Sequence, residues 1–362
     1  MKLHALQIHA GPRARARLRE RGLRPEDVRV VPAAAGGPKG LILNPLDQYL
    51  FGPWLGRSTQ EVHLLGASIG AWRMATACLG RDDAEMTRAF ARMADDYVHQ
   101  RYDSEPGRRP SAATVSRGFS AKLGESFGGR EGQVLSHPRY RLHVFTSRGR
   151  HILGREGRLR TPLGYTGAFA ANLLGRRVMG AWLERVVFSD PRAPLPMPLV
   201  DYRSQQVALS EQNLRPAVLA SCSIPFWLQA VHDIPGGPRG AYWDGGITDY
   251  HLHLNYAAMA GDGLVLYPHF QRQVIPGWLD KSLKGRHAAT AFLDNVVLLS
   301  PNPAWIESLP RAKLPDRDDF RHYGDDVQAR AKAWLRAIAE SQRLRDEFAA
   351  AVETSSLDAQ AL

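Results

Sequence analysis

EVHLLGASIGAWRMATACLG, residues 61–80, is the stretch on which the reading turns. It opens as an apolar run of strand length and continues as an apolar-rich segment of helical character. Gly66-Ala67-Ser68-Ile69-Gly70 sits where one becomes the other. A serine at such a sharp turn has its hydroxyl held clear of the sheet. Side chains larger than hydrogen at Gly66 and Gly70 would collide with neighbouring backbone, and the helix N-terminus beneath favours developing negative charge. This is the setting a nucleophile elbow requires, and it makes Ser68 the candidate nucleophile.

The same order of strand, tight loop and helix stands upstream. VRVVPAAA (28–35) runs into Gly36-Gly37-Pro38-Lys39-Gly40, after which LILNPLDQYL reads as the start of a helix. Two such units predict an α/β fold with a largely parallel sheet. Further strands are expected at 140–147, 206–210, 263–269 and 295–300. Residues 101–137, rich in Gly, Ser and Arg, read as a loop-rich insertion or lid. In residues 167–188, apolar side chains from Phe169 to Val186 recur at roughly helical spacing with Arg176, Arg177 and Arg185 between them. They read either as a basic amphipathic element at a membrane or pocket, or as a helix packed on the core. Beyond a linker marked by Pro301, Pro303, Pro310 and Pro315, Val327, Ala331, Trp334, Leu335 and Ile338 predict a helical stripe.

The chain has 362 residues, 44% of them hydrophobic and 23% charged, enough to bury a large core. Its net charge of +11 favours an anionic partner such as a phospholipid surface, an acidic substrate or nucleic acid. No zinc-finger spacing, RNA-recognition aromatic motif or basic region joined to heptads supports specific nucleic-acid binding. Cys78 and Cys222 fit no disulfide framework or metal spacing and read as reduced thiols. With no signal-like h-region and no apolar run of spanning length, the expected location is the cytoplasm. Peripheral contact with an anionic membrane, or a signal-independent export route, is compatible with the same composition.

An esterase also needs donors for the oxyanion of its tetrahedral intermediate. The backbone of the 36–40 loop is a natural source. It lacks the Gly-Lys-Ser/Thr of a phosphate-binding P-loop, and Pro38 has no N–H, so Gly36, Gly37 and Lys39 are the candidate donors. The third element is Trp243-Asp244-Gly245-Gly246.

A GGxKG loop after the first strand, a GxSxG elbow about 30 residues later and a distal Asp-Gly-Gly, in that order, resemble the patatin-like phospholipases. Ala220-Ser221-Cys222-Ser223-Ile224-Pro225-Phe226 is similar to the small-residue and proline segment ahead of the aspartate in that family. The resemblance implies a three-layer αβα fold and a Ser-Asp dyad without histidine, in which Ser68 attacks a lipid acyl ester and Asp244 takes its proton. Such chemistry needs no metal or organic cofactor. Where the family often carries Asp-Gly-Gly-Gly, this chain has Ala34-Ala35-Gly36-Gly37, which keeps the backbone donors and removes an aspartate side chain.

A carboxylate of ordinary pKa, near 4, is a poor base for a hydroxyl, so a short Ser68–Asp244 hydrogen bond in a partly desolvated site is expected, with the aspartate ionised at neutral pH. The expected organisation is a catalytic domain over residues 1–317 and a helical extension, 318–362, packed on it. Two alternatives stand beside this reading. A Ser-His-Asp hydrolase would use one of His251, His253, His269, His287 or His322, and a lipid-binding scaffold would keep the fold without the chemistry.

Overall fold

Val, Leu and Ala dominate strand segments that lack polar alternation, as in strands buried on both faces. The computed structural model describes residues 3–102, 110–354 and 357–362. In it these segments become β1 (Leu6–Ala10), β2 (Val28–Ala33), β3 (Val62–Ala67), β4 (Tyr140–Gly149), β5 (Leu183–Ser189), β6 (Ser204–Ala208), β7 (Val231–His232), β8 (Ala241–Asp244), β9 (Leu264–Pro268), β10 (Val296–Pro301) and β11 (Gln360–Ala361). They form one mixed, mostly parallel sheet in the order β11-β1-β10-β9-β2-β3-β4-β5-β6, with β8 paired to β4 and β7 to β8. The run β10-β9-β2-β3-β4 is parallel, and the antiparallel joints are β1–β10, β4–β5, β4–β8 and β7–β8.

Helices flank this sheet in a three-layer αβα arrangement: α1 (Pro12–Arg21), α2 (Asn44–Tyr49), α3 (Ile69–Ala77), α4 (Asp83–Val98), α5 (Ala112–Phe127), α6 (Glu131–Leu135), α7 (Arg160–Leu174), α8 (Arg176–Met179), α9 (Leu214–Cys222), α10 (Gly246–Asp249), α11 (Pro303–Ile306), α12 (Asp318–Tyr323), α13 (Val327–Glu340) and α14 (Gln342–Glu353). The tail packs back on the sheet layers: α14 against α2, α13 against α4, and β11 beside β1.

One register decides where two strand ends can meet. β3 runs along β4 from Val62 opposite Tyr140 to Ala67 opposite Phe145, where it turns into α3. At the next β4 residue the vacated edge is taken by β8, with Asp244 opposite Thr146. The ends of β3 and β8 therefore meet on adjacent β4 residues.

Two expectations need correction. Residues 103–109 lie outside the described residues, but the rest of the supposed loop-rich stretch is largely helical, in α5 and α6. Val115, Phe119, Leu123 and Phe127 recur every fourth residue and are all buried, a stripe hidden among glycines and serines. Nor do residues 167–188 form one helical element. The chain breaks after α7 at Gly175, in a conformation with φ 145°, makes the short α8, and then enters β5. Glu184 and Arg185 disguised that strand, since both are fully buried. Glu184 is bonded by Arg148, Arg203 and Gln205, and Arg185 by Asp201 and Asp249. In α13, Ala331 and Trp334 are buried as the stripe predicts, whereas Leu335 is exposed and Arg330 takes a buried place, stacked over the Trp334 ring.

The helices after β2 and β3 are locked together by charge. Arg73 of α3 grips Asp47 of α2 through two hydrogen bonds of 2.7 Å, with both side chains at most 2% exposed. Burial pushes the Asp47 carboxyl up, and the Arg73 charge and hydrogen bonds oppose it. Removing one partner leaves the other buried and unpaired, so Asp47→Ala is expected to cost about 3–5 kcal/mol, read as a shift in the urea unfolding midpoint with unchanged slope.

Candidate active site

Ser68 occupies φ 56°, ψ −128°, a backbone conformation that costs a residue with a side chain on the order of 1–3 kcal/mol and persists only where its surroundings hold it. The surroundings are tight. A side chain at Gly70 would lie 1.9 Å from the Ala33 carbonyl oxygen at the end of β2, and one at Gly66 would lie 2.4 Å from the Ala71 Cα. Both flanking glycines of the motif are therefore required by contact.

Asp244 arrives at the end of β8 and accepts the Ser68 hydroxyl on Oδ2 at 2.6 Å. Its second oxygen accepts the Gly246 N–H at 2.7 Å. Gly245 leaves no room for a side chain, which would sit 2.1 Å from the Phe145 carbonyl oxygen. Beyond it, α10 is anchored by Asp249, which takes hydrogen bonds from the buried Arg185 and from the Tyr202 and Thr248 hydroxyls. The two candidate residues, far apart in the chain, are brought together by the β4 register.

Ser221, in the segment ahead of the aspartate, fastens both sides. Its hydroxyl donates to the Phe145 carbonyl at 2.7 Å and accepts the Ser68 N–H at 2.9 Å, while its carbonyl accepts the Gly245 N–H at 3.1 Å. The Ser223 carbonyl accepts the Asp244 N–H at 2.9 Å. Nothing in the sequence marks Ser221 for that role beyond its place in a run of small residues.

The 36–40 loop lies beside the elbow. Gly40 rests against Ile69, and Ala35 lies so close to Gly246 that a side chain there would come within 2.5 Å. Gly37 adopts φ 57°, and Gly37 to Leu43 wind as a 3₁₀ helix. That pairing draws the Lys39 N–H back toward the Gly36 carbonyl. The N–H groups of Gly36 and Gly37 meet no acceptor among the described residues. The N–H of Ile69, in the first turn of α3, also lacks an intrahelical acceptor, a donor the motifs alone did not point to.

Ser68 and Asp244 are 4% and 5% exposed. Burial, the largest influence, pushes Asp244 up to about 6, against the downward pull of the Ser68 hydroxyl, the Arg317 charge and the Gly246 N–H. At pH 7 such a carboxylate is about nine-tenths ionised and a stronger base than an exposed aspartate.

None of the late histidines bonds to Ser68 or Asp244 among the described residues. His251 is held by the Gln273 carbonyl and the Ile275 N–H, His269 accepts the Gln271 N–H, and His287 meets the Asp280 carbonyl. His253 meets Thr290, and the His322 ring lies edge-on to Tyr323. Burial pushes His251 and His269 well below the usual imidazole range. Both cysteines are buried free thiols. No helix among the described residues is long and apolar enough to cross a membrane.

A mostly parallel αβα sheet, a serine in a strained strand-to-helix turn and a buried carboxylate bonded to its hydroxyl define a serine hydrolase of carboxylic esters that dispenses with histidine. Comparison with protein families matches residues 62–251 to the patatin-like phospholipase model, and the chain belongs to that family of lipid acyl hydrolases. Comparison with curated proteins gives no match.

Ser221→Ala strands the Ser68 N–H and the Phe145 carbonyl. We expect a stability loss of about 1–3 kcal/mol in urea unfolding, together with reduced turnover because the elbow loses a brace.

Proposed function

We propose that Ser68 is the nucleophile and Asp244 the general base of this lipid acyl hydrolase, acting through an acyl-enzyme. The observation that carries the assignment is the 2.6 Å hydrogen bond between them at the elbow, in a desolvated site. Ser68 Oγ attacks the ester carbonyl while its proton passes to Asp244 Oδ2. The N–H groups of Gly36, Gly37 and Ile69 stabilise the oxyanion. As the tetrahedral intermediate collapses, the alcohol leaves with the proton from Asp244. Water then gives a proton to Asp244 and attacks the acyl-serine; the intermediate releases the fatty acid, and Ser68 recovers its proton.

The apolar outer face of α7 supports a lipid surface as the medium. Leu159 and Leu163 are 74% and 63% exposed, and Leu174 is 81% exposed at the far end. Arg158, Arg160 and Arg177 flank them without ion pairs among the described residues, which suits anionic headgroups. On the inner side of the same helix the Tyr165 ring packs edge-on against Phe226 and against Trp243, the neighbour of Asp244. Helix α7 thereby packs, through Tyr165, against the residue next to Asp244. The protein in this reading is cytoplasmic and binds membranes peripherally.

Two experiments test these assignments. Ser68→Ala and Asp244→Asn are each expected to lower kcat/KM on a p-nitrophenyl ester series by about a thousandfold or more, with loss of fluorophosphonate labelling in the serine variant. Because Asp244 must be ionised to accept the proton and its pKa is raised, wild-type kcat/KM should be half-maximal near pH 6 and fall about tenfold per pH unit below it. Full activity persisting at pH 4 would remove Asp244 from this role. In the second experiment, Leu159→Glu with Leu163→Glu should weaken sedimentation with phosphatidylglycerol vesicles at least about tenfold while leaving turnover of short soluble esters in place. Undiminished vesicle binding would remove α7 as the docking element.

A further inference from the structure

Where β4 ends, the structure holds a cavity of about 300 Å³ that the proposed mechanism does not use. Arg148, Arg150, Arg155, Arg239 and His151 line it, and the rest of the lining is glycine. Among the described residues, no carboxylate and no apolar side chain borders the space. Arg148 stands opposite Tyr242, two residues along β4 from the Thr146–Asp244 pair, roughly 7 Å at the rise of a strand. Neither the dyad nor the 36–40 loop contributes to the lining.

The walls are fixed by backbone. Arg148 donates from Nε and Nη2 to the Arg239 carbonyl at 2.9 and 2.7 Å, which ties the segment ahead of β8 to β4. Gly240 follows at φ 142°, and a side chain on Gly149 would lie 2.0 Å from the Leu153 carbonyl oxygen, so the turn after β4 folds tightly back. Within that turn Arg150 donates to the Gly180 carbonyl at 2.7 Å. His151 holds φ 50°, a left-handed conformation that a residue with a side chain adopts only where its surroundings impose it.

The arginines exceed the carboxylates that reach them. Glu184 pairs with Arg148 but is shared with Arg203, and Asp233 pairs with Arg155 at 3.0 Å where both are exposed. Glu156 is not on the lining and accepts the Ala230 N–H. Arg150 and Arg239 have no ion pair among the described residues, and the Arg239 side chain makes no hydrogen bond among them. The oxygens of one phosphate are engaged by two bidentate guanidinium forks, so four guanidinium groups around one space suit more than one phosphate. The cavity volume is at the small end of those that take organic ligands.

We propose that this cavity is a binding site for a small ligand carrying two or more phosphate groups, separate from the ester-hydrolysing centre and not itself a site of turnover. The Arg150 and Arg239 guanidinium groups take the phosphates, and Arg148 and Arg155 close the positive field around them. Such a ligand bridges the turn after β4 and the segment that leads into β8, and so stabilises the folded chain by mass action. The proposal stands whether or not Ser68 and Asp244 are the reacting pair.

Calorimetric titration with inorganic triphosphate, and with inorganic phosphate for comparison, tests it. Wild type should bind triphosphate at least about tenfold more tightly than phosphate, and should unfold at a higher temperature in its presence. Arg150→Gln with Arg239→Gln should weaken triphosphate binding at least about tenfold, and Arg239→Gln alone, which removes no bond within the described fold, about threefold or more. A net charge of +11 attracts any polyanion, so Arg88→Gln with Arg92→Gln, which removes the same charge from exposed positions on α4, serves as the control and should leave the affinity within about twofold. Absence of triphosphate binding, undiminished binding by the folded Arg150 and Arg239 double variant, or an equal loss in the α4 variant overturns the proposal. Competition then reads the source of the phosphates. Phosphatidylcholine vesicles containing phosphatidylinositol 4-phosphate that displace triphosphate from wild type assign them to a lipid headgroup, and vesicles that leave it bound assign them to a soluble metabolite.

Discussion

The register of β4 is the constraint on which the site depends. A strand has two edges, and β4 gives one of them wholly to β5 and divides the other between β3 and β8. Because β3 stops at Phe145 and β8 begins pairing at Thr146, the last residues of two unrelated segments face each other across one residue step. A slip of one residue in either ladder would turn every side chain of that strand to the opposite face and separate the hydroxyl from the carboxylate. Ser221 guards against that slip by bonding the elbow, β4 and the Asp244 turn at once.

Electrostatics in the site is a contest that burial wins without neutralising the Asp244 carboxylate at pH 7. Removing Asp244 from water raises its pKa, and a hydroxyl, a backbone N–H and a guanidinium at a distance hold the rise to about 6. Had the carboxylate been ion-paired, as Asp201 is with Arg185 and Arg176, it would sit near 2 and be a feeble base. The structure keeps Arg317 close enough to moderate Asp244 and far enough away to form no ion pair with it.

Much of this was legible in the sequence because its signals are local. Strand, glycine-flanked serine and helix are consecutive in residues 61–80, and the Gly-rich loop and Asp-Gly-Gly each occupy a few adjacent residues. What escaped reading is pairwise and distant. The Asp47–Arg73 lock and the service of Ser221 to both sides of the site have no spacing rule, since their partners come from elements far apart in the chain. Strand β5 escaped for another reason: buried Glu184 and Arg185, satisfied by distant partners, looked like the polar face of a helix. Helix α5 had its four-residue stripe in plain view, and glycine and serine content drew attention away from it.

The separation of Ser68 and Asp244 in the chain, 176 residues, has a consequence for biosynthesis. Chains emerge amino-terminus first, and segments near the front gain structure before those behind them exist. A nascent chain that has completed β2, β3 and the elbow already displays its serine, yet that hydroxyl has no carboxylate partner until β8 is made and inserted beside β4. A truncated product, or one stalled before that insertion, lacks the hydrogen bond between Ser68 and Asp244. Topology alone thus delays completion of the Ser68–Asp244 pair until the chain has passed β8.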